Sequence, residues 1–219
     1  MKVKLQNSIR FLNAGILCGA ALLLSACSVL QPVKPASMST YAIDVQFEKS
    51  PPSTDNLTIL VNMPVAQPGF NSARMVYVKK PYAIEYFTQN QWVDSPARML
   101  TPLLVQALEQ SSRYRAVVQL RSAATADLRL DTEIIRLQHE FLNQPSQVRL
   151  TMRVQLLDLQ EKNVLATREF EVVEEAPSDD PYGGVIATNK AAGKILMQIA
   201  EFSAQHRPGQ ASQSAARKK

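Results

Sequence analysis

Three stretches in the second half of the chain alternate between apolar and polar residues. They run through residues 127–134, 148–156 and 166–173. A period of two places every second side chain on the same face of a strand, so each strand has one packed face and one wet face. We therefore predict a meander of three long antiparallel strands. The apolar residues expected to face the helices include Leu130, Leu150, Val154 and Phe170.

The polar faces of these predicted strands carry complementary charge. The middle strand offers Arg149 and Arg153, which could pair with acidic residues on its neighbours. Those acidic residues are Asp131, Glu133, Glu169 and Glu171. The alternation breaks at Ile134-Ile135, which predicts a β-bulge or a sharp twist near Ile135.

Two segments instead carry apolar residues at helical spacing. The first runs from Met99 to Leu108, with Asp94 or Ser95 as a possible cap and Pro96 in the first turn. Pro102 lies inside this stripe and should kink the helix or delay its regular start. The second stripe runs from Val185 to Phe202, after Asp179-Asp180, which resembles a helix cap more than a catalytic carboxylate pair.

Shorter apolar runs precede the first helix. Residues 40–47 and 57–64 predict two strands, and residues 73–87 predict a hairpin around Lys79-Lys80-Pro81. Alternation in its second arm would place Tyr82, Ile84 and Tyr86 together on the core side, leaving the tip in solvent.

These elements predict an α+β fold with a mainly antiparallel sheet and two helices packed on one face, as a single domain at residues 40–206. Residues 207–219 are polar and small, which is typical of a disordered tail.

The N-terminus has the three-part order of a secretory signal. Lys2, Lys4 and Arg10 precede an apolar run from Phe11 to Leu24, which is about 14 residues and shorter than the roughly 20 that span a bilayer. Small residues follow, and then Cys27. We expect a signal peptide at residues 1–26 and a tether at residues 27–39.

Leu24-Ser25-Ala26-Cys27 resembles the bacterial lipobox, in which the cysteine is acylated and the signal is removed before it. This resemblance implies a covalent N-terminal lipid on Cys27, and several acyl chains would give a stable anchor. The alternative is a plain secretory signal followed by a chance cysteine. The residue after Cys27 is Ser28 and not Asp, which points to the outer membrane with the domain in the periplasm.

Composition narrows the classes of function. Cys18 would leave with the signal and Cys27 would carry lipid, so the mature domain would have no free thiol for a disulfide or a metal site. Removing the three basic residues of the signal lowers the formal charge of +5 to +2. No basic stripe is interleaved with aromatics, so nucleic acid is not an expected partner. His139 and His206 have no metal-ligand spacing, and no catalytic motif is present, so we expect no enzyme and no cofactor besides the lipid.

An aromatic cluster between residues 74 and 92 carries a family resemblance. Its pattern of Arg, spaced Tyr, Trp and a Leu-rich helix resembles the ABC-type transport auxiliary lipoproteins, the PqiC/YmbA-like family. The residues that carry it are Arg74, Tyr77, Tyr82, Tyr86, Trp92 and Leu100. The resemblance implies a non-enzymatic outer-membrane component that accompanies an MCE-domain protein and an ABC-type permease in intermembrane lipid transport. Homo-oligomers are possible.

Two readings of the cluster stay open. The aromatics could pack the sheet against the first helix, or some could contact a partner or lipid. Arg74 and Trp92 are the contact candidates, because Arg and Trp are common interface anchors, while Tyr77, Tyr82 and Tyr86 are expected to be partly core. Two other functions also remain, an adaptor of lipopolysaccharide export or secretion, and a periplasmic hydrolase that uses scattered carboxylates.

Overall fold

The computed structural model describes residues 37–48, 56–119, 125–206 and 208. The predicted signal peptide, Cys27 and all but the last three residues of the predicted tether lie outside the described residues, and so does the predicted tail apart from Pro208. The described part of the chain forms the following strands and helices, in order: β1 (Ser39–Tyr41), β2 (Thr58–Val61), β3 (Val65–Ala66), β4 (Arg74–Val78), β5 (Glu85–Trp92), α1 (Pro96–Gln110), β6 (Ala116–Gln119), β7 (Leu128–Glu140), β8 (Gln147–Asp158), β9 (Asn163–Glu175) and α2 (Pro181–Gln205).

One mixed sheet is built around the long strand β7. On one side β7 pairs with β8, and β8 pairs with β9, both antiparallel. On the other side β2, β3 and β4 lie one after another along β7, all parallel to it. Strand β6 extends the sheet from β2, and β5 followed by β1 extends it from β4. The sheet therefore divides into two arms on this side of β7.

The expectation of a mainly antiparallel sheet is corrected by five parallel pairings. The antiparallel pairs are those that a short connection joins, at residues 79–84, 141–146 and 159–162. The parallel pairs join strands that are far apart in the sequence. Such strands need a crossover connection, and no local turn sequence reports their direction.

The predicted meander is confirmed. Leu150 on β8 pairs with Leu137 on β7 and with Val172 on β9. The four residues predicted to face the helices are all buried: Leu130, Leu150, Val154 and Phe170. The register of β7 against β8 shifts between Ile134 and Arg136, where the sequence predicts a bulge.

The predicted charge pairing is partly confirmed. Arg153 bridges Glu133 at 3.6 Å and Glu169 at 3.5 Å. Arg149 contacts Glu171 at 2.6 Å, but its partner on β7 is Glu140. Asp131 instead contacts Arg129 and accepts a hydrogen bond from Asn62 Nδ2. The register shift explains the difference, because it moves Glu140 beside the start of β8.

Helix α1 begins at Pro96, so Pro102 does not delay its start. Ser95 is the N-cap residue, although its side chain makes no capping hydrogen bond. The predicted stripe is buried throughout: Met99, Leu100, Leu103, Leu104, Ala107 and Leu108. A helix interior normally excludes proline because the ring clashes and one hydrogen bond is lost. Here the helix extends eight residues beyond Pro102.

Helix α2 begins at a side-chain cap, as the sequence predicts. The Asp180 carboxylate accepts a hydrogen bond from the backbone N–H of Gly183 at 2.8 Å. Asp179 has a different role, because it accepts from the backbone N–H of Ser146 on the β7–β8 loop. The buried residues of both helices join the inward face of the sheet in one hydrophobic cluster.

Candidate functional site

The aromatic segment from Arg74 to Trp92 forms the predicted hairpin. Strands β4 and β5 are antiparallel, with Tyr77 opposite Glu85 and Val76 opposite Tyr86. The register shifts between Arg74 and Val76, so Arg74 lies opposite Gln91. The hairpin is fixed to the rest of the sheet through β4, whose last two residues pair with the end of β7.

Arg74 is exposed and its guanidinium lies over an aromatic ring. The distance from Arg74 Cζ to the centre of the Tyr86 ring is 3.4 Å. The Tyr86 hydroxyl points to the carbonyl oxygen of Gly69 at 3.5 Å. Gly69 has a φ of 96°, a backbone conformation that glycine adopts without strain. The Arg74 guanidinium is therefore held at the surface against one face of the Tyr86 ring by a cation–π contact.

A second group of aromatic residues lies where β4 meets β7. The Tyr77 ring is 4.5 Å from the Phe87 ring, and the His139 ring is 4.2 Å from the Phe141 ring. The Tyr77 hydroxyl donates a hydrogen bond to Glu85 at 2.7 Å, and this bond raises the pKa of Tyr77. These contacts attach the hairpin to the sheet. Tyr77 is half-buried among them, outside the hydrophobic cluster that forms the core.

Trp92 is not accessible to a partner. Only 4% of its surface is exposed, and it lies among Met75, Leu137 and Thr188 in the hydrophobic cluster. Its place in the sequence, flanking an aromatic hairpin, did not reveal this burial. Among the residues of β5, Trp92 alone is fully buried, at the end of the strand, where it lines the same small space as Gly184 and Thr188 of α2. We correct the prediction that Trp92 is a surface contact residue.

The predicted core side of the second hairpin arm is also wrong. Tyr82 is fully exposed, and 47% of Ile84 is exposed, whereas Tyr86 is half-buried. The physical reason is that β5 begins only at Glu85, so the alternation does not extend back to Tyr82. Tyr82 has a φ of 67° and belongs to the turn.

A buried polar cluster, which the sequence did not indicate, fixes the β7–β8 loop to the start of α2. His139 Nε2 lies 2.8 Å from Ser146 Oγ. The backbone N–H of Ser146 donates to Asp179, and hydrogen bonds from Ser146 lower the pKa of that carboxyl. Serine beside histidine is the arrangement of a nucleophile and its base. However, Ser146 is completely buried and His139 nearly so, which closes this pair to a substrate.

The surroundings of His139 favour its neutral form. Burial lowers its pKa, although the charges of Asp179 and Asp180 act in the opposite direction. Its Nδ1 has no hydrogen-bond partner among the described residues and faces Gly184, where an added Cβ would lie 2.5 Å away. Glycine at position 184 therefore lets the helix approach the histidine ring closely. Close packing against His139 thus explains why position 184, one of two adjacent glycines, has no side chain.

Glu140 and Arg149 form an ion pair near this cluster. The guanidinium donates two hydrogen bonds to the carboxylate, at 2.8 and 3.2 Å. Only 4% of the Glu140 side chain is exposed. Its burial raises the pKa, but the bonds from Arg149 and Gln138 outweigh burial, and the pKa of Glu140 is lowered. Both partners are already satisfied inside the sheet, so the pair is structural.

Neither a metal nor a membrane-spanning helix is indicated by the residues that the structure describes. Within them, no three His, Cys, Asp or Glu side chains are grouped as a metal site would require. No helix among them is long and apolar enough to cross a bilayer.

Two clefts flank the C-terminal half of α2, with volumes of about 430 and 530 Å³. Both are lined by Gln198, Glu201 and Gln205.

The family comparison decides the class of protein. The model of the ABC-type transport auxiliary lipoprotein component family matches residues 41–200. The chain belongs to this family. The match covers strands β2 to β9, α1 and most of α2, including the whole aromatic hairpin. No match was found among curated proteins.

Solved structures with the same fold support the architecture. Protein XCC0632 from Xanthomonas campestris is 21% identical, with a TM-score of 0.71 over 80% of this chain and 99% of that chain. An uncharacterised protein is 15% identical, with a TM-score of 0.60 over 75% of this chain and 97% of that chain. At these identities the likeness shows the fold alone.

Proposed function

We propose that this chain is an outer-membrane lipoprotein, anchored through Cys27, that acts as a non-enzymatic accessory component of an MCE/ABC-type intermembrane lipid transport system. The observation that carries the proposal is the family match over residues 41–200, because that family is an auxiliary component of ABC-type transport. The lipobox in the sequence supplies the anchor, and Ser28 supports the outer membrane.

The geometry supports a role in binding rather than catalysis. The polar groups that could react, in particular Ser146 and His139, are buried and bonded to each other. The exposed polar group is instead the Arg74 guanidinium, which lies over the ring of Tyr86. Arg74 is therefore the proposed contact to the MCE-domain partner, and Trp92 is no longer a candidate. Self-association into a homo-oligomer is compatible with this role.

The anchor is tested by mass spectrometry of the N-terminal peptide of the mature protein. We expect acylated Cys27 as the first residue, and Cys27→Ala should release the domain from the outer-membrane fraction without changing its melting temperature. An unmodified Cys27, or a mature chain that starts elsewhere, would end the lipoprotein proposal.

The partner is tested by co-purification with a candidate MCE-domain protein from the same organism. Arg74→Ala should reduce binding, since removal of a true anchor costs an interface about 2 kcal/mol or more. Arg168→Ala is the matched control, because Arg168 also lies over an aromatic ring, that of Phe170 on β9. Equal binding by both variants would remove Arg74 from the interface. Absence of MCE and permease genes from the neighbourhood would instead favour an adaptor of another envelope assembly.

A further inference from the structure

The tip of the hairpin extends past the end of the central strand. Val78, the last residue of β4, pairs with Glu140, the last residue of β7. Strand β5 begins again only at Glu85. The six residues between them, 79–84, therefore continue beyond the edge of the sheet at the end where the β7–β8 loop lies.

The turn at this tip carries a bulky residue in a conformation that suits glycine. The carbonyl oxygen of Lys80 accepts a hydrogen bond from the backbone N–H of Ala83, which closes a four-residue turn. Tyr82 is the third residue of the turn and has a φ of 67°. Turns with positive φ at this position favour glycine or asparagine, and a large side chain there is strained. Tyr82 is also fully exposed, so burial within the domain does not offset that strain.

Apolar and basic residues share this end of the domain with Tyr82. Lys79 and Lys80 precede it and are exposed, and Ile84 follows it. Leu142 lies at the same end, since its neighbour Phe141 donates a backbone hydrogen bond to Val78. Of the Leu142 surface 42% is exposed. We call this set the tip surface: Lys79, Lys80, Tyr82, Ile84 and Leu142. Aromatic residues with a polar end, together with lysines, are enriched where proteins meet the headgroup region of a bilayer.

Of the acidic residues at this end of the domain, Glu85 is the nearest in sequence to the lysines, and it accepts a hydrogen bond from the Tyr77 hydroxyl. Asp179 and Asp180 accept hydrogen bonds from backbone N–H groups within the domain. Glu174 is paired with Lys194. Glu175 is exposed, but β9 is three strand spacings from β4, roughly 14 Å, which exceeds the screening length of about 8 Å at physiological salt.

Strand β1 begins on the side of the domain where the tip surface lies. Strand β1 is parallel to β5, with Ser39 beside Asn90. The chain therefore enters β1 from the side on which β5 begins, which is the side of the tip. Twelve residues from Cys27 to Met38 reach about 40 Å when extended. That length exceeds the distance of roughly 17 Å along β5 from Asn90 back to Glu85.

We propose that the tip surface binds the membrane that holds the Cys27 lipid. Tyr82, Ile84 and Leu142 enter the boundary between headgroups and acyl chains, and Lys79 and Lys80 bind anionic headgroups. This contact orients the domain on the bilayer, so that the rest of the sheet faces away from it. The inference rests on the proposed lipidation of Cys27.

The experiment uses the full mature lipoprotein reconstituted into vesicles of phosphatidylcholine, with or without phosphatidylglycerol. Because the mature chain has only the lipidated cysteine, Tyr82→Cys introduces one free thiol for an environment-sensitive fluorophore. Val164→Cys is the matched control. Val164 is also an exposed apolar residue, with 49% of its surface accessible, but it lies just after the turn at the opposite end of the meander. Lys79→Glu/Lys80→Glu is combined with Tyr82→Cys in a further variant to test the charge.

We expect the residue-82 label to shift its emission to the blue and to be quenched by lipid-borne quenchers in vesicles with phosphatidylglycerol. The residue-164 label should do neither, and the double glutamate variant should lose most of the residue-82 response. Vesicle flotation reports the anchor separately. If the chain floats but the residue-82 label stays in water, the tip contact is refuted and the lipid anchor stands. A chain that does not float refutes both. A residue-82 label that responds only when the MCE-domain protein or a second copy is added identifies a protein-docking surface and overturns the proposal.

Discussion

Replacing Trp92 with alanine should destabilise the domain strongly, because the side chain lies in the core with 4% of its surface exposed. Truncation of a buried tryptophan costs about 3–5 kcal/mol through lost apolar contact and the cavity left behind. In a domain of this size 1 kcal/mol lowers the melting temperature by about 2–4 °C. We therefore expect Trp92→Ala to melt roughly 6–20 °C below the parent protein.

Arg74→Ala is the matched comparison on the same hairpin. Arg74 is exposed and its main contact is the Tyr86 ring, an interaction worth about 0.5–1 kcal/mol at a surface. Its melting temperature should fall by no more than about 4 °C. The two variants thus separate a core residue from a surface residue within one structural element.

Circular dichroism melts measure both variants, and the parent protein offers an internal check. Trp92 is the single tryptophan of the chain, so its fluorescence reports its own surroundings. We expect blue-shifted emission and weak quenching by acrylamide. If Trp92→Ala lowers the free energy of unfolding by less than about 1 kcal/mol, the assignment of Trp92 to the core is wrong. The assignment is also wrong if acrylamide quenches the parent protein as strongly as it quenches free indole.

Three further predictions follow from buried polar groups and close packing. Arg149→Met should cost roughly 2–3 kcal/mol because it leaves Glu140 buried and unpaired, and Glu140→Gln/Arg149→Met should regain most of that loss in denaturant titrations. Burial lowers the pKa of His139 in the folded state. The contribution of neutral His139 to stability is therefore complete above about pH 6.5 and is lost as the pH falls through and below that value. His139→Gln should flatten this part of the plot of melting temperature against pH. Gly183→Ala should cost about 1–3 kcal/mol, because the new Cβ would lie 2.1 Å from a backbone oxygen, whereas Gly193→Ala should be neutral or stabilising.

Sequence periodicity was sufficient to predict the three long strands and the second helix. Residues 128–140, 147–158 and 163–175 alternate over many positions, and each strand is joined to the next by a short connection, so both face and direction follow from the sequence. The stripe of α2 and its Asp180 cap are similarly local features. The presence and the inward face of each long element were therefore predictable, although the strands extend beyond the predicted stretches, as β7 does to Glu140.

The short strands and the hairpin tip could not be predicted from the sequence, because they carry no long periodic pattern. Strands β1, β2, β3 and β6 have at most four residues each, so they carry too little alternation to set a register. Their parallel pairing depends on how the whole chain crosses over. The positions of Trp92 and Tyr82 depend on where β5 begins, and the local pattern of apolar residues does not decide that. The sequence thus located the aromatic segment but exchanged its core and surface members.

A last prediction concerns Tyr82, the exposed residue of the hairpin turn, and asks whether its side chain contributes to the stability of the fold. A left-handed backbone conformation costs a non-glycine residue roughly 1–2 kcal/mol, and glycine loses roughly 0.5–1 kcal/mol more backbone entropy on folding. Tyr82→Gly should therefore change the free energy of unfolding by between about zero and +1.5 kcal/mol, in the stabilising direction. Ala83→Gly, one position later in the same turn, has no such strain to release and should be slightly destabilising. Denaturant titrations of both variants measure the difference. A loss of more than about 1 kcal/mol in Tyr82→Gly would mean that the ring contributes to the fold. If the fold gains nothing from the ring, the role that the structure offers for Tyr82 is the membrane contact proposed above.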